Sequence, residues 1–178
     1  MRKNLVMTIT GNDKVGIVEE VTGLVLSHGG NVESSKMARL GGSFAMLMLV
    51  SVSDDQFESL RANIRNLANR EYKISTSETE QCSTQKFSGW TSCDIEVHGA
   101  DHEGIIHEIT RFLAEQGVSV ETMDTGIEPA PMSGGNLFMM TAIVLVPPQI
   151  DVNTLTEELE DVGDHLNVDA SLVIRENL

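Results

Sequence analysis

Apolar and polar positions alternate with two different periods along this chain. Leu5-Val6-Met7-Thr8-Ile9-Thr10 is a short apolar run that stops at Gly11, as a strand bounded by a turn residue does. Beyond it, Ile17, Val21, Leu24 and Val25 recur at the three-and-four spacing of one helix face, until Gly29-Gly30 ends the pattern. Val32–Leu40 and Ser43–Val52 read as extended segments joined by Gly41-Gly42, a hairpin signal. Phe57, Leu60, Ile64 and Leu67 mark a second helix, for which Ser53 and Gln56 predict a capping box. A last strand is expected over Lys73–Glu80, where Ile74, Thr76 and Glu78 share one side.

The second half repeats that order. Cys93–His98 predicts a strand, and Ile105, Ile109, Phe112 and Leu113 a helix ended by Gly117. Val118–Ile127 and Leu137–Val146 predict a hairpin, which Pro147-Pro148 terminates. Leu155, Leu159, Val162 and Leu166 give the second helix, and Ala170–Arg175 the last strand. At an offset of 88 residues, Gly11, Asp13, Gly16 and Ile17 fall on Gly99, Asp101, Gly104 and Ile105. Glu20, Thr22, Gly29, Val32 and Glu33 fall on Glu108, Thr110, Gly117, Val120 and Glu121, giving 9 identities in 23 ungapped positions. Farther on the register shifts to 93, placing Met46 on Met139, with the extra residues in the Pro- and Gly-rich stretch 128–135. The expected fold is therefore α+β: two ferredoxin-like βαββαβ domains, each an antiparallel four-stranded sheet with both helices on one face. Residues 1–80 and 91–178 are the expected domains, with 81–90 as linker. Each such sheet leaves unpaired edge strands, which proteins cover, so the two halves are expected to pack together through their sheets or first helices; a homo-oligomer is also expected.

Charge narrows the function. The chain of 178 residues carries a formal −15. Residues 86–178 hold 17 acidic and 3 basic side chains, against 10 and 9 in residues 1–85. Phosphate binding needs clustered lysine and arginine, and the short strip Arg61, Arg65 and Arg70 reads as a solvated helix face. Neither direct nucleic-acid binding nor attachment to an anionic membrane is expected. The apolar run Phe44–Val50 is too short to cross a bilayer, and Thr8 and Thr10 interrupt any signal-peptide core after Leu5-Val6-Met7. Two cysteines, Cys82 and Cys93, are too few for a secreted disulfide scaffold, so a cytoplasmic, reducing compartment is expected.

The repeated loops carry the candidate chemistry. Gly11-Asn12-Asp13-Lys14-Val15-Gly16-Ile17 and Gly99-Ala100-Asp101-His102-Glu103-Gly104-Ile105 each join a strand to a helix. Asp13 and Asp101 stand where a helix N-cap is expected, and Gly16 and Gly104 would let a backbone or a ligand approach. Exposed N–H groups and the helix dipole favour a carboxylate there, while the aspartate could hold an ammonium. Both charges together suit a free α-amino acid. A capped helix start needs no ligand, so a purely structural reading stands beside this one. The spacing is not that of a dinucleotide-binding loop.

Leu5–Val18 followed by Gly29-Gly30-Asn31-Val32 resembles the opening of an ACT domain: an apolar strand, G-x-D-[RK]-P-G-[IL]-V, a helix, then G-x-N-[IV]. The second copy, with Gly117-Val118-Ser119-Val120, resembles it less closely. Val15 and Glu103 replace the family's proline, and Ser119 replaces the asparagine that Asn31 keeps. The resemblance implies amino-acid binding against the first loop and the second strand. It puts forward Asn12, Asp13, Gly16, Ile17 and Asn31, and more weakly Asp101, Gly104, Ile105 and Ser119, as ligand-binding residues. It also implies a small amino acid such as glycine as ligand, and a DNA-binding transcriptional activator of glycine-cleavage genes as protein partner. A regulatory subunit, or a structural interaction module for an amino-acid or one-carbon enzyme, is the alternative.

Nothing else rises to a catalytic or metal site. His98, His102 and His107 lack an i, i+4 pair, and no cysteine has a nearby histidine signature. Met46, Met48, Met139 and Met140 read as core filler, and Trp90 as a packing residue. No enzyme activity and no cofactor are expected.

Overall fold

The computed structural model describes residues 1–68, 72–79, 87–130 and 134–175. The chain divides into two units, Met1–Ser83 and Thr84–Leu178. The first contains β1 (Arg2–Asn12), α1 (Ile17–Ser27), β2 (Asn31–Leu40), β3 (Ser43–Ser53), α2 (Asp54–Ala68) and β4 (Tyr72–Thr79). The second contains β5 (Thr91–Ala100), α3 (Ile105–Glu115), β6 (Ser119–Pro129), β7 (Asn136–Val146), α4 (Val152–Leu166) and β8 (Val168–Ile174). The sheets are antiparallel, ordered β2-β3-β1-β4 and β6-β7-β5-β8. This is the expected βαββαβ architecture, twice.

Strand alternation explains why both helices of a unit lie on one side. Leu5, Met7, Ile9 and Gly11 pair with Val50, Met48, Met46 and Phe44, so these residues share the helix-facing side. Leu5, Met7 and Ile9 are completely buried, against Ile17, Val21 and Val25 of α1 and Phe57, Leu60 and Ile64 of α2. In the second unit Cys93, Ile95 and Val97 take the same places, against Ile105, Ile109 and Leu113 of α3 and Leu155 and Leu159 of α4. Each helix is amphipathic and each sheet buries one face, so the pattern read from sequence is the pattern of burial.

Two local expectations are corrected. Sheet register puts Ile9 beside Met46 and Val97 beside Met140, so Met46 corresponds to Met140, one residue beyond the expected partner Met139. The buried member of each pair decides this, since Met46 and Met140 are both 1% exposed. At the start of α2, the Ser53 hydroxyl and the Gln56 amide both turn to the Asp55 carboxylate. The strands are also one to three residues longer than the apolar runs at several ends, because pairing continues through the polar residues Arg2, Asn12 and Asn136.

The second strand of each hairpin is bulged at the same place, between Val32 and Ser34 and between Val120 and Thr122. The repeated Val-Glu pair thus marks a conformational device. Residues 80–86, where most of the expected linker falls, lie outside the described residues, as do Cys82 and Arg70. Phe87 and Trp90 meet edge to face, with ring centroids 5.0 Å apart.

Candidate functional site

In the first unit, β1 ends at Asn12 and α1 starts at Ile17, leaving a four-residue loop. The Asp13 N–H donates to the Gly42 carbonyl at 3.0 Å, tying this loop to the hairpin turn. Gly16, with φ 97° and ψ −7°, is the N-cap of α1, which has no side-chain cap. The expected capping role of Asp13 is therefore corrected: the helix begins three residues later, on a glycine in the left-handed region. A Cβ on Gly16 would meet nothing within 4 Å, so backbone conformation, not close approach, requires glycine here. The Ile17 N–H reaches back to the Lys14 carbonyl at 3.5 Å. That bond and the Gly16 torsions make Lys14–Ile17 a turn of type II character, in which proline suits the second position and glycine the third. Val15 and Gly16 occupy those positions. The carboxylate of Asp13 accepts from Arg39 Nη1 at 3.0 Å.

The second unit repeats the scaffold. The Asp101 N–H donates to the Asn136 carbonyl at 3.0 Å, and Gly104 (φ 97°, ψ −13°) is the N-cap of α3, again without a side-chain cap. Asp101 therefore does not cap its helix either. The first intrahelical bond runs from the Glu108 N–H to the Gly104 carbonyl at 3.0 Å. The N–H groups of Ile105, Ile106 and His107 precede it and point toward the loop side of the helix.

Around this second loop lies a cavity of about 760 Å³. Asp101, His102, Gly104, Ile105, Ile106, His107 and Thr110 form one side of it, and Thr125, Gly126, Ile127 and Phe138 the other. The volume falls within the range of small-molecule sites, about 300–1,000 Å³. Sheet register explains the convergence: Gly99 pairs with Phe138 and Phe138 with Ile127, so the far end of β6 returns beside the β5–α3 loop. Asp101, Gly104 and Ile105 thus share one cavity.

His102 is the residue whose role the sequence reading missed. Its Nε2 lies 2.7 Å from the Leu166 carbonyl and its Nδ1 3.0 Å from the Glu103 carbonyl. Carbonyl oxygens only accept, so the two contacts are both hydrogen bonds only when each ring nitrogen carries a proton, and the pair favours the protonated ring. The Glu103 carbonyl first, then that of Leu166, holds its pKa above the ordinary value of 6.5. Leu166 is the last residue of α4, where the helix dipole also favours a cation. His102 therefore fastens the loop to the end of α4.

Asn31 and Ser119 are not brought to these loops. Asn31 pairs with Ser51 and Asn12 with Ser43, eight residues apart along β3. At roughly 3.3 Å per residue that is about 26 Å, too far for one ligand to touch both Asn31 and Asp13 of the same unit. Ser119 opposite Leu145 is displaced equally from Ala100 opposite Leu137. The Asn31 amide instead donates to Glu33 Oε1 at 3.1 Å, and the buried Ser51 hydroxyl donates to the same oxygen. The Ser51 bond first and the Asn31 bond second hold the Glu33 carboxyl below its ordinary range. Asn12 lines a separate depression of about 420 Å³ with Thr10, Ser43 and Lys73.

Elsewhere, Cys93 is buried and its thiol is pushed up in pKa by that burial, the opposite of nucleophile activation. His98 faces Glu96 at 3.8 Å. Among the described residues no group of three or more His, Cys, Asp and Glu side chains is placed to hold a metal ion. No described helix is long and apolar enough to cross a membrane.

Comparison with known proteins agrees with this geometry. Residues 3–74 match the ACT domain family model. Over 168 residues, 94% of this chain and 88% of the relative, the sequence is 23% identical to the glycine cleavage system transcriptional repressor of Escherichia coli (strain K12). A crystal structure of an unknown protein from Galdieria sulphuraria is 30% identical, with a TM-score of 0.84 over 99% of this chain and 100% of that one. A second structure, provisionally assigned as a glycine cleavage system transcriptional repressor, shares the fold at TM-score 0.72 and 24% identity over 99% of each chain. Residues 3–74 thus form an ACT domain, and the second unit repeats its topology and loop residues.

Proposed function

We propose that this protein is an amino-acid-responsive regulator that binds a free α-amino acid at the β5–α3 loop and acts through a protein partner. The observation that carries the reading is the cavity at Asp101, where that acidic residue and the first residues of α3 border one space. A carboxylate for the ammonium and helix N–H groups for the carboxylate are the two charges every free amino acid needs met. The likeness to a glycine cleavage system transcriptional repressor supports a regulatory role in amino-acid metabolism and makes glycine the first ligand to try. The same likeness supports a DNA-binding transcriptional activator of glycine-cleavage genes as the partner.

Charge supports indirect action. A chain of net −15, whose second half holds only three basic residues, pays a repulsive cost near a phosphate backbone. The test has two parts. Calorimetric titration of the full chain with a panel of amino acids, glycine first, should give saturable heat. A mobility-shift assay on a glycine-cleavage promoter at physiological salt should show no shift by this protein alone, and an altered complex when the activator is present. A shift without the activator would refute indirect action, and silence across the panel would refute amino-acid sensing.

A further inference from the structure

Resting on the amino-acid reading above, we propose that the second unit alone is the ligand-binding one and that it selects an amino acid with a large apolar side chain over glycine. The repeat supplies its own control. Arg39 lies opposite Phe44 on the first hairpin, and Ile127 lies opposite Phe138 at the same point of the second. In the first unit Arg39 places a guanidinium 3.0 Å from Asp13, so the carboxylate that would take an ammonium already holds a cation. In the second unit Ile127 brings no charge, and Asp101 makes no ion pair with lysine or arginine among the described residues. One residue, exchanged between equivalent positions, separates a carboxylate that faces a guanidinium from one that faces none, the neighbouring His102 ring being turned to the Glu103 and Leu166 carbonyls.

The cavity wall indicates the side chain. Ile127 is 58% exposed and Ile106 39% exposed, and both border the cavity beside Ile105 and Phe138. Clustered apolar side chains left in water beside a charged anchor mark a binding surface. An amino acid with its ammonium at Asp101 and its carboxylate toward the start of α3 can extend its side chain along this wall. Glycine has no side chain and leaves the wall wet. Each buried methylene contributes about a fourfold gain in affinity, so leucine, with four more carbons, should exceed glycine by at least tenfold.

The experiment is calorimetric titration of the full chain with leucine and glycine, followed by three variants. The expected result is one leucine per chain, bound at least tenfold more tightly than glycine. Ile127→Arg, which installs the first unit's residue at an exposed position, should weaken leucine at least tenfold. Ile127→Ala should weaken it several-fold without introducing a charge, and Asp13→Asn should leave it unchanged. Far-UV circular dichroism checks that each variant is folded. Glycine binding as tightly as leucine, leucine binding that survives Ile127→Arg, or two leucines per chain would overturn this proposal while leaving amino-acid sensing intact. If leucine, glycine and the rest of the amino-acid panel all give no heat, amino-acid sensing itself falls, and this proposal with it.

Discussion

Replacing Gly104 by alanine asks whether the loop glycine is there for its torsions or for the space it leaves. Its backbone sits at φ 97° and ψ −13°, and a Cβ built there meets nothing within 4 Å. The cost of alanine is then purely conformational. Holding an L-residue in the left-handed region costs about 1–2 kcal/mol. The stiffer unfolded chain offsets about 0.4–1 kcal/mol of that, leaving a net destabilisation of about 1 kcal/mol. For a unit of this size that shifts the melting temperature by about 4–8 °C. Gly104→Asn should recover part of the loss, because asparagine enters positive φ more readily than alanine. Gly16 has the same φ of 97° and the same open surroundings, so Gly16→Ala should cost a similar amount in the first unit. Urea denaturation followed by circular dichroism measures all three. An unchanged midpoint for Gly104→Ala, or an asparagine variant less stable than the alanine one, would refute the torsional account.

Three further outcomes follow from the same geometry. Val15→Pro should stabilise the first unit by about 0.4–1 kcal/mol, since Val15 is fully exposed and stands second in a turn of type II character; a lowered midpoint would show a φ at Val15 that proline cannot adopt. Gly99→Ala should destabilise by about 1–3 kcal/mol through overpacking, because its Cβ would lie 2.6 Å from Val168 Cγ1 and 2.9 Å from Val168 Cα; Val168→Ala should rescue part of that loss in a double mutant, and strict additivity would refute the clash. His102 should titrate above its ordinary 6.5, so its contribution is fully present below that value and is lost as pH rises through the raised one; a ring titration by NMR reading 6.5 or lower would refute the bridge to Leu166 and Glu103, and His102→Gln should flatten the pH dependence.

The fold was legible because apolar spacing and glycine placement act locally. Leu5, Met7 and Ile9 alternate in sequence and all point to the core, and Phe57, Leu60 and Ile64 do the same at helical spacing. The two loops were legible as repeated motifs for the same reason. What the motif could not convey was the partner of each aspartate, since Arg39 is 26 residues from Asp13 and meets it only because the hairpin folds back. Nor could it convey that Asn31 lies at the opposite end of β2 from Arg39, since that distance is a property of an extended strand and not of sequence separation. His102 looked like a scattered surface histidine because its second acceptor, the Leu166 carbonyl, is 64 residues away. The substitution of Arg39 by Ile127 was visible in the repeat alignment at the same offset of 88, but only the pairing of each with a phenylalanine beside the loop gives it meaning.

The two units keep the same apolar interior and differ at both ends of the second strand. Leu5, Met7, Ile9 and Phe44 correspond to Cys93, Ile95, Val97 and Phe138, every one of them buried. At one end of β2, Asn31 and Ser51 bond the bulge residue Glu33, and Arg2 adds a bond of 3.0 Å to the Ser51 carbonyl. The matching positions in the second unit are Ser119, Leu145, Glu121 and Trp90, a set in which leucine and tryptophan replace serine and arginine. At the other end, Arg39 bonds Asp13 where the second unit has Ile127 and Asp101. The first unit is thus polar and internally bonded at the same two places where the second carries apolar groups. An exposed ion pair such as Arg39–Asp13 contributes only about 0–1 kcal/mol to folding, so stability gives little reason for a difference at this site. Occupancy does: the Arg39 guanidinium competes with an incoming ammonium for Asp13, and Ile127 brings no such competitor to Asp101. By this reasoning the duplicated scaffold holds one loop that its own side chain satisfies and one left to an external ligand.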